Sequence, residues 1–555
     1  MSTTRALLKK EWYELCNIGH LLRNESRFKV AFILLFAFGL EAGLFYVFLR
    51  GFHFLSRMGG AGFMVIRYMF SFFFFALGIM LVLSSVVTAY STVFRSREIP
   101  FLLTGPFSIR AIVTHKFVES CSLSSWAFFF VVIPFVTAYA WHEKLSPLFF
   151  LWTVFFSIPF LVFSAGLGAM FSLLFVRWFP RQRWARIGLT VIAIATVGYL
   201  FLRHVPSQSM NTTNFILARM IPGLQVSAMP MTPNWWVAEG IMALMRGQFL
   251  RGLLLWGVLA ANALLVMVIV QEIGAATFFE SWQRLINASG RARRRAVMLA
   301  WAGPVLGPVV GRQARGMVLK DIRTFFRDPM QWSQALIFFG LLALYFASLR
   351  TFHYNFLSEE WRNFIVFLNI FSVASVLCSL ASRFVFPQLS LEGHGFWIVG
   401  LSPASTGRIL MTKFATALVA MMTVSMGLMF LSTHMLQVDP LLMAVAVGLG
   451  GVIALAVSAL ATGLGAVFID LKQSNPVAIV SGFGGTVNLV LSLGYMFALI
   501  IPFGFIFHLF YRQKIAGDIM RHALGLAILW AVVLTMLATV LPLYAGYRSL
   551  KNRDY

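Results

Sequence analysis

Two short polar segments carry the charged residues that are best placed for chemistry in this chain. The first covers residues 98–117 and the second residues 392–414, and both lie between long apolar runs. Four residue types recur in both segments at one offset of 297 positions. They are Pro106, Ser108, Lys116 and Phe117 in the first segment and Pro403, Ser405, Lys413 and Phe414 in the second. Repeated matches at one offset indicate an internal duplication.

Each polar segment predicts a surface helix that a soluble partner can push. A carboxylate opens each segment, at Glu98 and at Glu392. The proline then breaks the chain, and the serine is a suitable N-cap for the helix that follows. That helix is basic and carries Arg110 in the first segment and Arg408 in the second. The competing interpretation is an interfacial turn whose arginine and lysine side chains reach the solvent.

The sequence lacks the common motifs of catalysis and metal binding. It contains no G-x-x-x-x-G-K-[ST] loop, which would cradle nucleotide phosphates. It also contains no H-E-x-x-H and no G-x-S-x-G pattern. The three cysteines, Cys16, Cys121 and Cys378, are too scattered to indicate disulfides or a thiolate metal site. These absences predict a chain without a metal or an ATPase site of its own.

Glu41 is the most notable isolated charge, because it falls within an apolar run. A carboxylate inside a membrane is costly and is a candidate functional residue by default. Pairing with a neighbouring arginine, or a position facing a wet cleft, explains it equally well.

The composition indicates a membrane protein. Charged residues make up 11% of the 555 residues, against roughly 25% in a soluble domain, and the mean hydropathy is +0.83. About twelve runs are long enough to span a bilayer, since roughly 20 apolar residues suffice. Continuous apolar runs, rather than alternating ones, predict an all-α polytopic fold. The net charge of +25 reflects basic residues beside spans, and we expect no nucleic-acid partner.

A third repeat extends the duplication into the apolar runs and predicts two homologous six-span halves. Gly166-Leu-Gly-Ala-Met-Phe171 matches Gly463-Leu-Gly-Ala-Val-Phe468 at the same offset. The halves are predicted at 1–272 and 311–555, joined by a basic linker at 273–310. Spans are expected near 28–49, 68–90, 118–141, 147–176, 187–202, 252–271, 332–349, 363–385, 414–437, 440–469, 477–506 and 521–545.

An amphipathic lead-in helix is predicted at the start of each half. The first covers residues 3–27 and contains the pair Lys10-Glu11, and the second covers residues 311–330 and contains Lys320-Asp321. Each half is also expected to have an outer segment, at 203–250 and at 502–520. Pro502 is predicted to break the eleventh span, so that the chain dips back into the membrane.

Basic residues predict the orientation of the chain, because lysine and arginine in short loops are retained on the cytoplasmic side. With twelve spans and an inner N-terminus, most of the 44 lysines and arginines fall on the inner side. Both termini, the linker and both polar segments are therefore expected in the cytoplasm.

These residues resemble a known family, the permease subunits of type-2 ABC exporters. SLEGHGFWIVGLSPASTGRILMTKF resembles their segment between the second and third spans, and residues 98–117 do so too. KDIRTFFRDPMQWSQ resembles their connecting helix, and DLKQSNPVAIVSGFGGTVNL fits the stretch after their fourth span. The resemblance covers most of the chain, although its motifs are loose.

The resemblance implies a function beyond what the residues themselves indicate. The chain would be two fused permease halves, one chain per transporter, in a bacterial inner membrane among its lipids. Two copies of a separate ATP-binding subunit would bind ATP and Mg²⁺ and would dock on this chain, which would need no cofactor itself. The ATPase-coupling interface would include the two polar segments and the charged pairs of the lead-in helices. The exported substrate is unidentified, and the aromatic content of 15% favours an amphiphilic one.

Other functions remain open at this point. An ion-coupled secondary transporter also uses repeated halves, but it would need several acidic or histidine residues deep in its spans. A membrane-embedded enzyme would need clustered histidine or carboxylate residues at one membrane face. A membrane sensor without a translocated substrate is the third alternative.

Overall fold

The computed structural model is almost entirely helical. It describes residues 7, 9–10, 13, 16–17, 27–57, 60–94, 96, 98–178, 229–291, 312–327, 331, 359–401, 405–436, 438–473, 476–511 and 517–552. No β-strand occurs within these ranges. The chain divides into two compact units, Met1–Arg294 and Arg295–Tyr555.

Unit 1 is a bundle of long apolar helices with two short ones. Its described helices are α1 (Arg27–Ser56), α2 (Gly60–Phe94), α3 (Glu98–Thr104), α4 (Ile109–His142), α5 (Leu148–Trp178), α6 (Pro233–Met245) and α7 (Phe249–Arg291).

Unit 2 also combines long apolar helices with short ones. Its described helices are α8 (Arg312–Arg327), α9 (Glu359–Leu380), α10 (Phe396–Gly400), α11 (Thr406–Met435), α12 (Pro440–Val467), α13 (Pro476–Ser481), α14 (Phe483–Tyr511) and α15 (Gly517–Lys551). A π turn, Ala381–Val385, follows α9 directly, and two 3-10 turns, Phe386–Gln388 and Ser390–Gly395, lead from it to α10.

The long helices confirm an all-α polytopic membrane protein. Nine described helices are long and apolar enough to cross a membrane, and the bent helix α4 makes ten if it counts as one span. The expected spans at 187–202 and 332–349 lie outside the described residues.

The repeated Gly-Leu-Gly motif makes equivalent contacts in both units. In unit 1, a Cβ on Gly166 would lie 2.5 Å from Val266 of α7, and one on Gly168 would lie 2.5 Å from Ser85 of α2. In unit 2, a Cβ on Gly463 would lie 2.3 Å from the Pro542 backbone of α15. A Cβ on Gly465 would lie 2.4 Å from the Phe386 carbonyl oxygen. Small residues thus let α5 approach α2 and α7, and they let α12 approach α15 and the turns that follow α9.

The two cores have different chemistry. The core of unit 1 near α1, α2 and α4 is built largely from phenylalanine, with the Phe73 and Phe135 rings stacked 3.6 Å apart. The main core of unit 2 is rich in alanine and other aliphatic side chains, above all along α12.

Helices extend into three of the predicted connecting segments. Helix α14 continues through Pro502 to Tyr511, because a proline within an apolar helix is tolerated when neighbouring helices pack around it. The predicted outer segment 502–520 is therefore mostly the end of α14 and the start of α15. Helix α7 continues to Arg291, so the first part of the predicted linker 273–310 is helical. Within the predicted outer segment 203–250, helix α6 packs into unit 1 against α2, α5 and α7.

Candidate functional site: a repeated ion cluster

In unit 1, a buried lysine joins three separate stretches of chain. The Lys116 ammonium donates to Glu98 Oε2 at 2.9 Å and to Glu119 Oε2 at 2.7 Å. The other oxygen of Glu98, Oε1, accepts from Lys10 Nζ at 2.8 Å. The Lys116 side chain is only 1% exposed. We call Lys10, Glu98, Lys116 and Glu119 the first ion cluster.

Local structure around the polar segment explains how Lys116 reaches Glu98. Helix α3 ends at Thr104 and the chain turns at Gly105 and Pro106. Ser108 then N-caps α4 by accepting from the Ala111 N–H, at 3.3 Å. Lys116 lies two turns into α4, and its helix face is held against the bundle by buried neighbours at 111–117.

Unit 2 contains a similar cluster around Lys413. Lys413 donates to Asp321 Oδ1 at 2.7 Å and to Glu392 Oε1 at 2.8 Å, and its side chain is 2% exposed. Lys320 also pairs with Glu392. Gln388 donates to the second oxygen of Asp321 at 3.3 Å. We call Lys320, Asp321, Glu392 and Lys413 the second ion cluster.

In both clusters a lead-in lysine contacts the carboxylate that opens the polar segment, and that carboxylate contacts the buried lysine of the next long helix. The additional carboxylate differs. In the first cluster it is Glu119 of α4 itself, whereas in the second it is Asp321 of the lead-in helix α8. The opening carboxylate is also less exposed in the second cluster, since the Glu392 side chain is 14% exposed and the Glu98 side chain is 46% exposed.

The ion pairs hold Glu98 in its charged form. Burial by itself would raise the pKa of Glu98, but hydrogen bonds from Lys10 and Lys116, and their charges, outweigh it and lower the pKa to about 2. Glu98 therefore stays negative across the physiological range.

Beside each cluster, exposed residues form a separate surface. Phe101 of α3 is 74% exposed, and Trp397, Ile398 and Leu401 in or next to α10 are 57%, 61% and 78% exposed. Pro106 and Ser108 are exposed as well. We call Phe101 with the turn at Pro106 the first apolar tip, and Trp397, Ile398 and Leu401 the second apolar tip.

Most predicted site residues fall into one of these two groups. Arg110 is exposed and pairs with Glu272 at 3.0 Å, outside the first cluster. Ser405 N-caps α11 by accepting from the Arg408 N–H at 3.4 Å, and Arg408 is exposed. Glu11 and Pro403 lie outside the described residues.

Glu41 stays apart from both groups. It is half-buried in α1, and among the described residues no side chain forms a hydrogen bond or ion pair with it. The intramembrane site predicted from Glu41 therefore gains no described partner.

Three participants had no clear signal in the sequence. Glu119 and Gln388 lie in apolar surroundings, and Phe101 looks like one more membrane residue among the 58 phenylalanines. Only the fold brings Glu119 to Lys116 and leaves Phe101 uncovered.

The first cluster contains a group with metal-like spacing, but its charge is already balanced. One ligand atom each from Glu98, His115 and Glu119 lies within 4.8 Å of the others. However, Lys116 already donates to both carboxylates. The lysine ammonium thus supplies the positive charge that a bound Mg²⁺ would bring, and these residues do not fit a magnesium site.

Comparisons with known proteins connect the chain to one family. Residues 22–555 match the family described as "Putative ATP-binding cassette". No curated protein and no solved structure matches the chain.

This match corrects three expectations. The identification as a permease subunit of a type-2 ABC exporter is overturned, because the matching family is described as an ATP-binding cassette. The same match, over nearly the whole chain, contradicts the expectations that the chain has no ATPase site and that ATP and Mg²⁺ bind only to a partner.

The residues of this chain do not fit nucleotide binding of the P-loop type. A P-loop connects a strand to a helix and needs the G-x-x-x-x-G-K-[ST] spacing. The sequence lacks that spacing, and the described part of the chain contains helices without strands.

Proposed function

We propose that this chain, which belongs to the ATP-binding cassette family named above, provides the membrane path of an ATP-driven exporter. The family match and the long apolar helices together indicate that the chain is an ABC-type transport protein embedded in a membrane. The repeated ion cluster is the observation that carries the finer proposal, because it links surface segments to membrane helices in both units.

The ion clusters make surface movement inseparable from helix movement. Glu98 lies just after the second helix of unit 1, Lys116 lies in α4, and Lys10 lies in the lead-in segment. A force on the polar segment must therefore move these three stretches together, or else leave a buried lysine unpaired, which is costly. Unit 2 provides the same linkage through Lys413.

The apolar tips are the proposed contact surface for a partner. Exposed aromatic and aliphatic side chains flanked by charged groups are typical of protein interfaces. We assign them two copies of an ATP-binding subunit, one at each tip, with one copy of this chain per transporter. Binding energy at the tips would bias an equilibrium between states that the membrane helices already have.

The proposed location is the cytoplasmic membrane of a bacterium, with both tips and both termini in the cytoplasm. The basic residues support this orientation. The proposed substrate class is amphiphilic, in keeping with the aromatic content of 15%.

Reconstitution tests this proposal. The purified chain is placed in liposomes with each candidate ATP-binding subunit of its host, and ATP hydrolysis and export of a fluorescent amphiphile are measured. We expect both activities with the correct subunit. Replacing Phe101 or Trp397 by Glu should weaken binding of the subunit by at least about tenfold, since a buried aromatic anchor contributes about 2 kcal/mol or more.

Arg251→Glu is the matched control, because Arg251 pairs with Glu239 at the start of α7, whereas Arg110, beside the first apolar tip, pairs with Glu272 much later in α7. It should leave subunit binding unchanged. Binding that is insensitive to both tip variants would contradict the docking surface. Export driven by a proton gradient without ATP would contradict the proposed function itself.

A further inference from the structure

Among the described residues of unit 2, four of the six buried polar side-chain atoms without a hydrogen-bond partner belong to α12 and α14. The atoms are Ser458 Oγ, Thr462 Oγ1, Asn488 Oδ1 and Ser492 Oγ, for which the described residues supply no partner. Ser458, Asn488 and Ser492 are fully buried, and Thr462 is 2% exposed.

The two helices that carry these atoms face one another. Tyr495 of α14 donates to the Val452 carbonyl of α12 at 3.4 Å, which fixes the register of the two helices. Asn488, Ser492 and Tyr495 are spaced i, i+4 and i+7, so they share one helix face. That face is therefore the one turned towards α12.

The polar residues of α12 lie on the face turned towards the end of α9. Ser458, Thr462 and Gly465 have the same i, i+4, i+7 spacing, and a Cβ on Gly465 would lie 2.4 Å from the Phe386 carbonyl oxygen. Phe386 follows the π turn directly, and its N–H bonds to the carbonyl of Ala381 in that turn.

Register brings the two polar faces to the same level. Consecutive spans run in opposite directions. The residue seven positions before Tyr495 therefore lies level with the residue seven positions after Val452. Asn488 then lies level with position 459, next to Ser458, and Thr462 and Ser492 lie about one helical turn away. Asn488 also donates to Ser382 of the π turn at 2.8 Å, which places the site where the π turn, α12 and α14 meet.

We propose that this junction binds a small cluster of ordered water molecules. Four unpartnered polar atoms in an apolar interior would cost an amount comparable with the net stability of a domain. Buried water molecules bind otherwise unsatisfied groups of this kind, with about three hydrogen bonds each. All four atoms are neutral, so a cation there would have no opposing charge, whereas water can donate to Asn488 Oδ1 and exchange hydrogen bonds with the hydroxyl groups.

The site distinguishes unit 2 from unit 1. At the offset of 297 positions, Ser458 corresponds to Leu161 and Thr462 to Ala165, which are apolar. Hydration at this junction is therefore a property of unit 2, and it lies beside a π turn, where a helix commonly bends at functional sites.

A near-isosteric substitution tests the proposal in the full-length chain in nanodiscs. If Thr462 binds water, Thr462→Val should lower the midpoint temperature of thermal unfolding by a few degrees, and Thr462→Ser should retain it. Thr433→Val is the control, because Thr433 is equally buried and donates to the Met429 carbonyl of its own helix at 2.8 Å. Its midpoint should change less than that of Thr462→Val.

Two results would overturn the proposal. If the Thr462 hydroxyl binds no water, Thr462→Val should leave the midpoint temperature of thermal unfolding unchanged or raise it. A cation site predicts a higher midpoint in sodium or potassium chloride than in choline chloride at equal ionic strength, lost in Thr462→Val. A high-resolution map with density peaks within hydrogen-bond distance of Asn488 Oδ1 and Thr462 Oγ1, and no dependence on the salt cation, would support water.

Discussion

At the residue scale, Lys116 and Lys413 are the centre of the two ion clusters. Each is almost fully buried and contacts two carboxylates. Burying an ammonium is costly unless it is paired, so the carboxylates are needed as much as the lysine. The exposures differ, because the partners of Lys413 are 14% exposed while those of Lys116 are 46% and 27% exposed. Water can replace a lost lysine more easily in the first cluster.

We therefore predict that Lys413→Met destabilises the chain more than Lys116→Met. Removing one member of a buried pair costs about 3–5 kcal/mol, which we expect for Lys413, and solvent reduces this to about 1–2 kcal/mol for Lys116. Unfolding of the purified chain by heat or denaturant measures the difference. Arg110→Met is the control, since Arg110 and Glu272 are both exposed and their pair is worth less than about 1 kcal/mol. An equal loss in all three variants would contradict the contribution of burial.

The pKa of Glu98 predicts how stability depends on pH. This pKa is lowered from 4.5 to about 2 in the folded chain. A carboxyl with a lowered folded-state pKa stabilises the fold above its ordinary pKa and loses that contribution as the pH falls through 4.5 towards 2. The difference in thermal stability between the wild type and Glu98→Gln should thus be constant above about pH 5.5 and should shrink below 4.5. A difference that grows on acidification would refute the ion-pair assignment.

At the element scale, both long helices that carry a buried lysine begin with the same serine cap. Ser108 and Ser405 have extended backbone conformations, and each accepts a hydrogen bond from an N–H three residues later. The cap ends the turn of the polar segment and starts the helix, so it sets the position of the lysine two turns further on.

Loss of a cap should loosen the start of its helix. Ser108→Ala is expected to cost about 1 kcal/mol and to speed hydrogen exchange of the Ala111 amide by roughly fivefold. Ser108→Asp should retain the cap and the slow exchange. Exchange measured by mass spectrometry on peptides that start near Ser108 provides the comparison, and identical rates in the wild type and Ser108→Ala would contradict a role for the cap.

Glycines in α12 give a second prediction at this scale. A Cβ on Gly463 would meet the Pro542 backbone, which cannot move aside as a flexible side chain can, while Gly448 has open space around its Cβ position. Gly463→Ala should therefore destabilise the chain by about 1–3 kcal/mol through overpacking, and Gly448→Ala should be neutral or slightly stabilising. Thermal unfolding compares the two variants. A neutral Gly463→Ala would show that α12 and α15 are less tightly packed.

At the scale of the whole molecule, the units share a connection pattern but not a core. Both place a lead-in lysine, a carboxylate and a buried lysine in one cluster. Unit 1 fills much of its core with phenylalanine rings, whereas unit 2 packs alanine-rich helices closely and buries the proposed water site. Similar mechanics can therefore be combined with different interiors.

The proposed orientation can be tested with a native probe. Cys16 is exposed, and Cys378 is buried. A membrane-impermeant maleimide should leave Cys16 unlabelled in intact cells and should label it in inverted membrane vesicles. Cys16→Ser should abolish that labelling. Labelling of Cys16 in intact cells would place the N-terminus outside and would contradict the orientation.

The membrane class, the approximate ends of the spans within the described residues, the second lead-in helix and the serine caps follow from the sequence alone. These features depend on local properties, because a span needs only a continuous apolar run and an N-cap needs only a serine before a helix. The repeat at 297 positions also identified Lys116 and Lys413, and Glu98 and Glu392 stood out as the carboxylates that open the two polar segments. The predicted break of the eleventh span at Pro502 was wrong, because the effect of a proline on a helix depends on the neighbours that pack around it.

Which charged residues meet depends on how the helices pack in three dimensions. Lys116 and Arg110 look alike as basic residues of one short helix, yet one is buried among carboxylates and the other is exposed beside Glu272. Burial and pairing arise from helices that are distant in the chain, which local patterns do not specify. The same reason hid Glu119, the apolar tips and the polar junction of unit 2, since each depends on what the packed helices cover and what they leave open.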